Sequence, residues 1–233
     1  MPFFYMDYWY LVLVVPALLI SLWAQVRVKS VFARYSRCRV ACGMTGREAS
    51  LYIQRQNGIS TGMAPVSGSM TDYYDPKNNS IHLSQTVYDQ ATVAAVGVAA
   101  HETGHALQYA NNYGPVRLRM GMVPITNFAS GLSPVLVLLG LVLGYDPLAW
   151  AGVLLFSAAL LFQLVTLPVE FNASTRAVRA LESSGQFTAD ELTGVKRVLS
   201  AAALTYVAAT FVSLMSLLRL IMIVSGNSRR RNR

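Results

Sequence analysis

Four stretches of the chain are almost unbroken in apolar residues, approximately Tyr8 to Ala24, Met122 to Gly144, Leu148 to Val169 and Ala201 to Val224. At a rise of about 1.5 Å per residue, helices of this length reach across a hydrocarbon core about 30 Å thick. Only Tyr145, Asp146 and Pro147 separate the second stretch from the third. Those two segments must therefore form an antiparallel helical hairpin, with both of its open ends on one side of the membrane. The polar stretches Gln25 to Gly121 and Glu170 to Ser200 then share that side.

Within the first polar stretch the pattern changes from element to element. Thr45-Gly-Arg-Glu48 has the form of a capping box and predicts a short helix ending at Asn57-Gly58. The run Gly62 to Thr71 carries short β-leaning pieces. Tyr73-Tyr74 and Ser80 to Leu83 flank the turn formers Asp75, Pro76, Asn78 and Asn79, which predicts a small hairpin. Asp89 is placed to cap a helix that runs to about Asn111 and stops at Asn112 and Gly114-Pro115. From Ala91 to Ala100 that helix is apolar on every face, as a helix enclosed by protein must be.

Composition sharpens the picture. Of 233 residues, 54% are hydrophobic and 13% charged, against about 25% charge in soluble domains. With a mean hydropathy of +0.41, this excludes a disordered chain, a coiled coil and an ordinary soluble globule. Of the nineteen Lys and Arg residues, fourteen lie in the two polar stretches, so the positive-inside rule assigns these to the cytoplasm and the N-terminus to the outside. No Lys or Arg precedes the first apolar segment and no small-x-small site follows it, so it reads as an anchor. The net charge of +8 sits beside apolar runs without interleaved aromatics, which suits anionic lipid and not nucleic acid. Arg229, Arg230, Arg231 and Arg233 break the charge rule if the fourth segment crosses fully; a full crossing and a re-entrant helix both stay open. Cys38 and Cys42 form no disulfide framework and read as packed small hydrophobes on a helix.

The enclosed helix carries His101-Glu102-Thr103-Gly104-His105. Positions four apart stack on one helical face, so both imidazoles can reach one metal at about 2.0–2.1 Å, while Glu102 projects beside them as a general base. With three histidines in the chain, chance production of this pattern is on the order of 10⁻³. A catalytic zinc needs a third protein ligand and an open position. His82 lies on a hairpin strand, where a solvated or substrate-facing role is expected, and a thiolate set favours closed structural sites. Glu170 returns to the side of the histidines through the membrane hairpin, but just after Pro168 it also suits the first turn of a helix, where a carboxylate complements the dipole. From the residues alone both readings stand.

The segment His101 to Gln108, the preceding Thr71-Asp-Tyr-Tyr-Asp-Pro76 and Ile81-His-Leu-Ser84, and the later Thr166-Leu-Pro-Val-Glu-Phe-Asn-Ala-Ser174 with Leu204-Thr-Tyr206 resemble the YugP-type neutral zinc metallopeptidases of bacterial membranes. That family is similar in layout to the HtpX and prenyl-protein protease groups of gluzincins. The resemblance implies one Zn2+ per chain held by His101, His105 and Glu170, with Glu102 as base. The relatives' Asp that orients a ligand histidine is replaced by Ser174, so Ser174 or Asn172 is expected to support the imidazole. By the same analogy the strand Ser80 to Leu83 offers an edge to substrate. Tyr206 reads either as an oxyanion stabiliser or as an interfacial tyrosine at a helix start, Arg176 either as a holder of a substrate carbonyl or carboxylate or as a charge on a solvated helix face, and His82 as solvated or substrate-facing.

The expected architecture is a mainly α integral membrane protein with about four transmembrane helices and a zincin-like cytoplasmic part with a small β-hairpin. Residues 1–24 form the anchor, 25–121 the part with the histidine helix, 122–169 the membrane hairpin, 170–200 a cytoplasmic helix carrying the third ligand, and 201–233 the last membrane helix and basic tail. The expected function is a zinc endopeptidase of the bacterial cytoplasmic membrane, its site facing the cytoplasm and its substrates peptides or proteins associated with the membrane; a silent zinc-binding scaffold is the alternative. A transporter is disfavoured because no ionisable residue stands near the middle of a spanning segment. Oligomeric state is not legible.

Overall fold

The computed structural model describes residues 7–231, and the side chains of 228–231 lie outside it together with the charges of the arginine tail. Six α-helices and three strands follow in the order α1 (Val15–Tyr35, entered through a π-helical turn Tyr10–Val14), α2 (Gly46–Gln56), β1 (Gly62–Val66), β2 (Tyr73–Asp75), β3 (Ser80–Ser84), α3 (Val93–Ala110), α4 (Gly114–Leu143), α5 (Asp146–Ser183) and α6 (Ala189–Arg231). Four helices are long and apolar enough to cross a membrane, and they contain the four apolar stretches of the sequence. The chain divides into one unit of Met1–Ala24, Leu118–Leu167 and Thr205–Arg233, and another of Gln25–Arg117 and Pro168–Leu204.

In the membrane-type unit, α4 and α5 pack through small residues. A Cβ at Gly140 would collide with the backbone of Ala149, and one at Gly152 would come within 2.7 Å of the Val137 nitrogen. The Ser133 hydroxyl donates to the Gly152 carbonyl at 2.8 Å, so a buried polar group is satisfied across the same seam. Without water to drive apolar association, close backbone approach and such bonds are what hold membrane helices together. At one end of this unit Arg219 of α6 donates through Nε and Nη2 to the Asp7 carboxylate at 2.9 and 2.6 Å and lies over the Tyr10 ring. This contact places Arg219 where the first helix begins.

The other unit is built around α3. Thr92, not Asp89, caps it, its hydroxyl accepting from the Ala95 N–H. The expected start is thus three residues early, because the Asp89 segment is held as a turn by bonds from Val87 and Tyr88 to the Ser84 carbonyl. Ala99, Ala100, Val96 and their neighbours are buried. One face of α3 packs with Ile53 of α2, Leu181 of α5 and Val195 of α6; the other packs with Phe32, Ile81, Leu83 and Val87. The capping box of α2 forms as the sequence predicts, with Thr45 and Glu48 bonded reciprocally. Thr103 donates to the Ala99 carbonyl, so Ser50 must donate to Thr103, at 2.7 Å each, and Gln54 carries this buried chain on to the Thr61 N–H.

The hairpin of β2 and β3 forms as expected, but β1 adds in parallel on the far side and makes β3 the central strand. The Ser80 to Leu83 strand therefore has no edge to offer, and the sheet's edges belong to β1 and β2. Local turn signals reveal the hairpin, whereas the parallel partner arrives from upstream with no local signal. Cys38 and Cys42 are exposed in the loop after α1, not packed on a helix, because α1 ends at Tyr35.

Removing one member of the Asp7 and Arg219 pair strands the other charge in a largely enclosed place. Asp7→Leu or Arg219→Leu alone should lower the melting temperature in detergent micelles, measured by circular dichroism. The double leucine variant should melt closer to wild type than either single one.

Candidate metal centre

His101 and His105 face the same way from α3, one helical turn apart, with ring centroids 4.7 Å from each other and ring planes nearly perpendicular. Both present Nε2 to the Glu170 Oε2, at 3.3 Å for His101 and 3.6 Å for His105. One ligand atom from each of the three residues lies within 4.8 Å of the others. Two ligands held about 2.0–2.1 Å from a tetrahedral ion stand about 3.3 Å apart, so the spacing suits zinc, and two imidazoles with a carboxylate are a donor set zinc accepts. Among the described residues this is the group of three His, Cys, Asp or Glu side chains close enough to hold a metal ion.

Glu170 does not open a helix. α5 runs unbroken through Pro168, so Glu170 stands in the helix interior and is 2% exposed. Complementing a helix N-terminus, the competing explanation for an acid after proline, does not apply here. An ionised carboxylate so enclosed costs several kcal/mol unless partners compensate, and the two imidazoles are those partners.

Each imidazole is held from behind. His101 Nδ1 lies 3.1 Å from the Ser174 hydroxyl, one turn beyond Glu170 on the same helix. His105 Nδ1 lies 3.0 Å from the Gln108 carboxamide oxygen. Burial disfavours an imidazolium at His105, but its contact with Glu170 and the nearby Glu102 charge outweigh that and raise its pKa above the ordinary value. Glu102 is 8% exposed. Burial pushes its carboxyl pKa up, the two imidazoles hold it down in part, and the charges of Glu170 and Asp72 add to the rise.

The remaining expected residues are placed as follows. Asn172 hydrogen-bonds to neither His101 nor His105; its side-chain oxygen accepts from Gln108 and from Arg176 Nε. Arg176 is thereby tied to α5, and its guanidinium lies over the Tyr113 ring. His82 bonds to Ser80 and stacks on Tyr73 with centroids 4.6 Å apart, a cross-strand pair in a half-buried position. Tyr206 belongs to the membrane-type unit, where its backbone carbonyl accepts the Thr210 hydroxyl.

Two residues of the site lay unnoticed inside the motif. Gly104 lets α3 and α5 touch: a Cβ there would stand 2.5 Å from the Ala173 carbonyl oxygen. Gln108, three residues after His105 and fully buried, bonds to His105 on α3 and to the Val169 carbonyl on α5. A glycine retained in a helix interior despite its cost, and a glutamine on the histidine face, were the available signals.

A histidine pair on one helix, completed by a carboxylate from a second, in a chain with four membrane-length helices, defines a membrane protein with a zinc-peptidase type of centre. Residues 10–225 match the model of a family described as "Putative neutral zinc metallopeptidase", and the chain belongs to that family. It is 48% identical over 215 residues to the "Putative membrane protease YugP" of Bacillus subtilis (strain 168), an overlap covering 92% of this chain and 96% of that relative. No solved structure matches it at a significant level.

Alanine is a better helix former than glycine by about 1 kcal/mol, so on propensity Gly104→Ala would stabilise α3. The Ala173 contact reverses the sign, and overpacking of this kind costs about 1–3 kcal/mol. The variant should melt below wild type and bind zinc more weakly, measured by thermal unfolding and metal titration.

Proposed function

We propose that the protein is a zinc endopeptidase acting on peptides or proteins at the cytoplasmic membrane, with one ion per chain held by His101, His105 and Glu170. The observation that carries this reading is the convergence of both imidazole Nε2 atoms on a single buried Glu170 oxygen, beside an acid that ligates nothing. Structural zinc sites are closed by four protein ligands and have no use for such an acid. Zinc, when bound, supplies a Lewis acid that polarises a carbonyl and acidifies water.

Glu102 takes the proton of the attacking water and delivers it to the leaving amine. Its burial favours this, because a base whose pKa is raised toward the working pH both accepts and returns a proton readily. Ser174 and Gln108 hold the imidazoles in place, and Glu170 supplies the negative charge that the ion requires. The basic flank of α1, with Arg27, Lys29 and Arg34, supports a cytoplasmic location for the polar unit.

Glu102→Gln should retain zinc, while cleavage of a fluorescent casein by the purified full-length protein falls about 10²- to 10⁴-fold. Undiminished cleavage by that variant overturns the mechanism. Glu170→Ala should instead lose the metal, read by elemental analysis; a full complement of zinc in that variant removes Glu170 from the ligand set.

A further inference from the structure

The side chain of Gln108 is buried on α3 and reaches across to α5 at the centre, and the mechanism proposed for Glu102 does not use its full set of bonds. Its amide nitrogen donates to the Val169 carbonyl at 2.7 Å and to the Asn172 Oδ1 at 3.1 Å. Its oxygen faces His105 Nδ1 at 3.0 Å. The amide orientation follows from its neighbours. A backbone carbonyl only accepts, so the atom facing Val169 must be the NH2 group. The Asn172 atom must likewise be oxygen, because it also receives the Arg176 Nε–H at 2.7 Å and a guanidinium only donates. Both amide hydrogens are thereby committed, and the oxygen is left to His105.

An oxygen there requires a proton on His105 Nδ1, so in the neutral imidazole that a metal needs, the free lone pair is the one on Nε2, on the side of Glu170. The same carboxamide grips the α5 backbone at residue 169, directly before the Glu170 ligand. His101 has no equivalent, since its partner Ser174 is a hydroxyl that donates or accepts equally well and selects no tautomer.

We propose that Gln108 is the positioning residue of the metal centre, its carboxamide setting the His105 tautomer and pinning the α5 turn that presents Glu170. This rests on the zinc reading above. It makes Gln108 the substitute for the orienting charge that Ser174 does not supply, placed on the second histidine instead of the first.

Zinc affinity of the full-length protein in detergent micelles, measured by competition with a chromophoric chelator, tests it. Gln108→Leu keeps the volume and removes every bond; with helical circular dichroism unchanged, its zinc affinity should fall about 10- to 100-fold. Gln108→Glu returns an acceptor to the His105 N–H and should bind zinc more tightly than the leucine variant. Wild-type affinity in Gln108→Leu, or a glutamate variant no better than leucine, overturns the proposal while leaving the metal centre intact. Nitrogen-15 spectra of histidine-labelled, zinc-loaded wild-type protein provide a readout that needs no variant to fold. A hydrogen-bonded His105 Nδ1 proton slow to exchange is expected, and a freely exchanging one is contrary. Wild-type protein that takes up no zinc overturns both this inference and the function it rests on.

Discussion

A carboxylate enclosed in a helix interior, answered by two imidazoles from a neighbouring helix, is the interaction on which the rest of this structure turns. Glu170 is nearly inaccessible, and ionised groups in such places persist only where charge and hydrogen bonds compensate for lost water. The surrounding architecture serves that requirement. α3 is enclosed on both faces by apolar side chains, so its histidines have little freedom to turn elsewhere. Gly104 removes the one side-chain atom that would hold α3 away from Ala173, three residues past the acid.

The two histidines are supported unequally. His101 leans on a hydroxyl from the helix that carries Glu170, and His105 on a carboxamide from its own helix that also grips the other. A neutral partner raises imidazole basicity less than a carboxylate would. The site thus relies more on geometric restraint than on charge behind its two imidazoles. The Ser50, Thr103 and Gln54 chain contributes to that restraint by joining α2 to α3 through buried hydrogen bonds.

The membrane-type unit follows another logic. Gly140, Gly152 and Ser133 form a seam in which backbones approach closely, and Asp7 with Arg219 supplies an enclosed ion pair. Arg219 lies toward the end of the last apolar segment, away from its middle. Its partner stands 212 residues away, and a separation of that size leaves no periodic trace in the sequence.

The four membrane-length helices, the capping box, the hairpin and the paired histidines were all legible from the chain alone, since each depends on residues within one or two turns of each other. Local chemistry has local signatures, and spacing reports it. The central position of β3 was not legible, because it is decided by a strand that arrives from well upstream, and neither the uninterrupted course of α5 through Pro168 nor the cap at Thr92 was legible either. Glu170 shows the division most plainly. Its residue type and distance from the histidines admitted both a ligand and a helix-terminal acid, and only packing α5 against α3 brought its oxygen to the two nitrogens. Gln108 carries the same lesson, for a glutamine acquires a role from what its carboxamide faces, and that is a property of the folded chain.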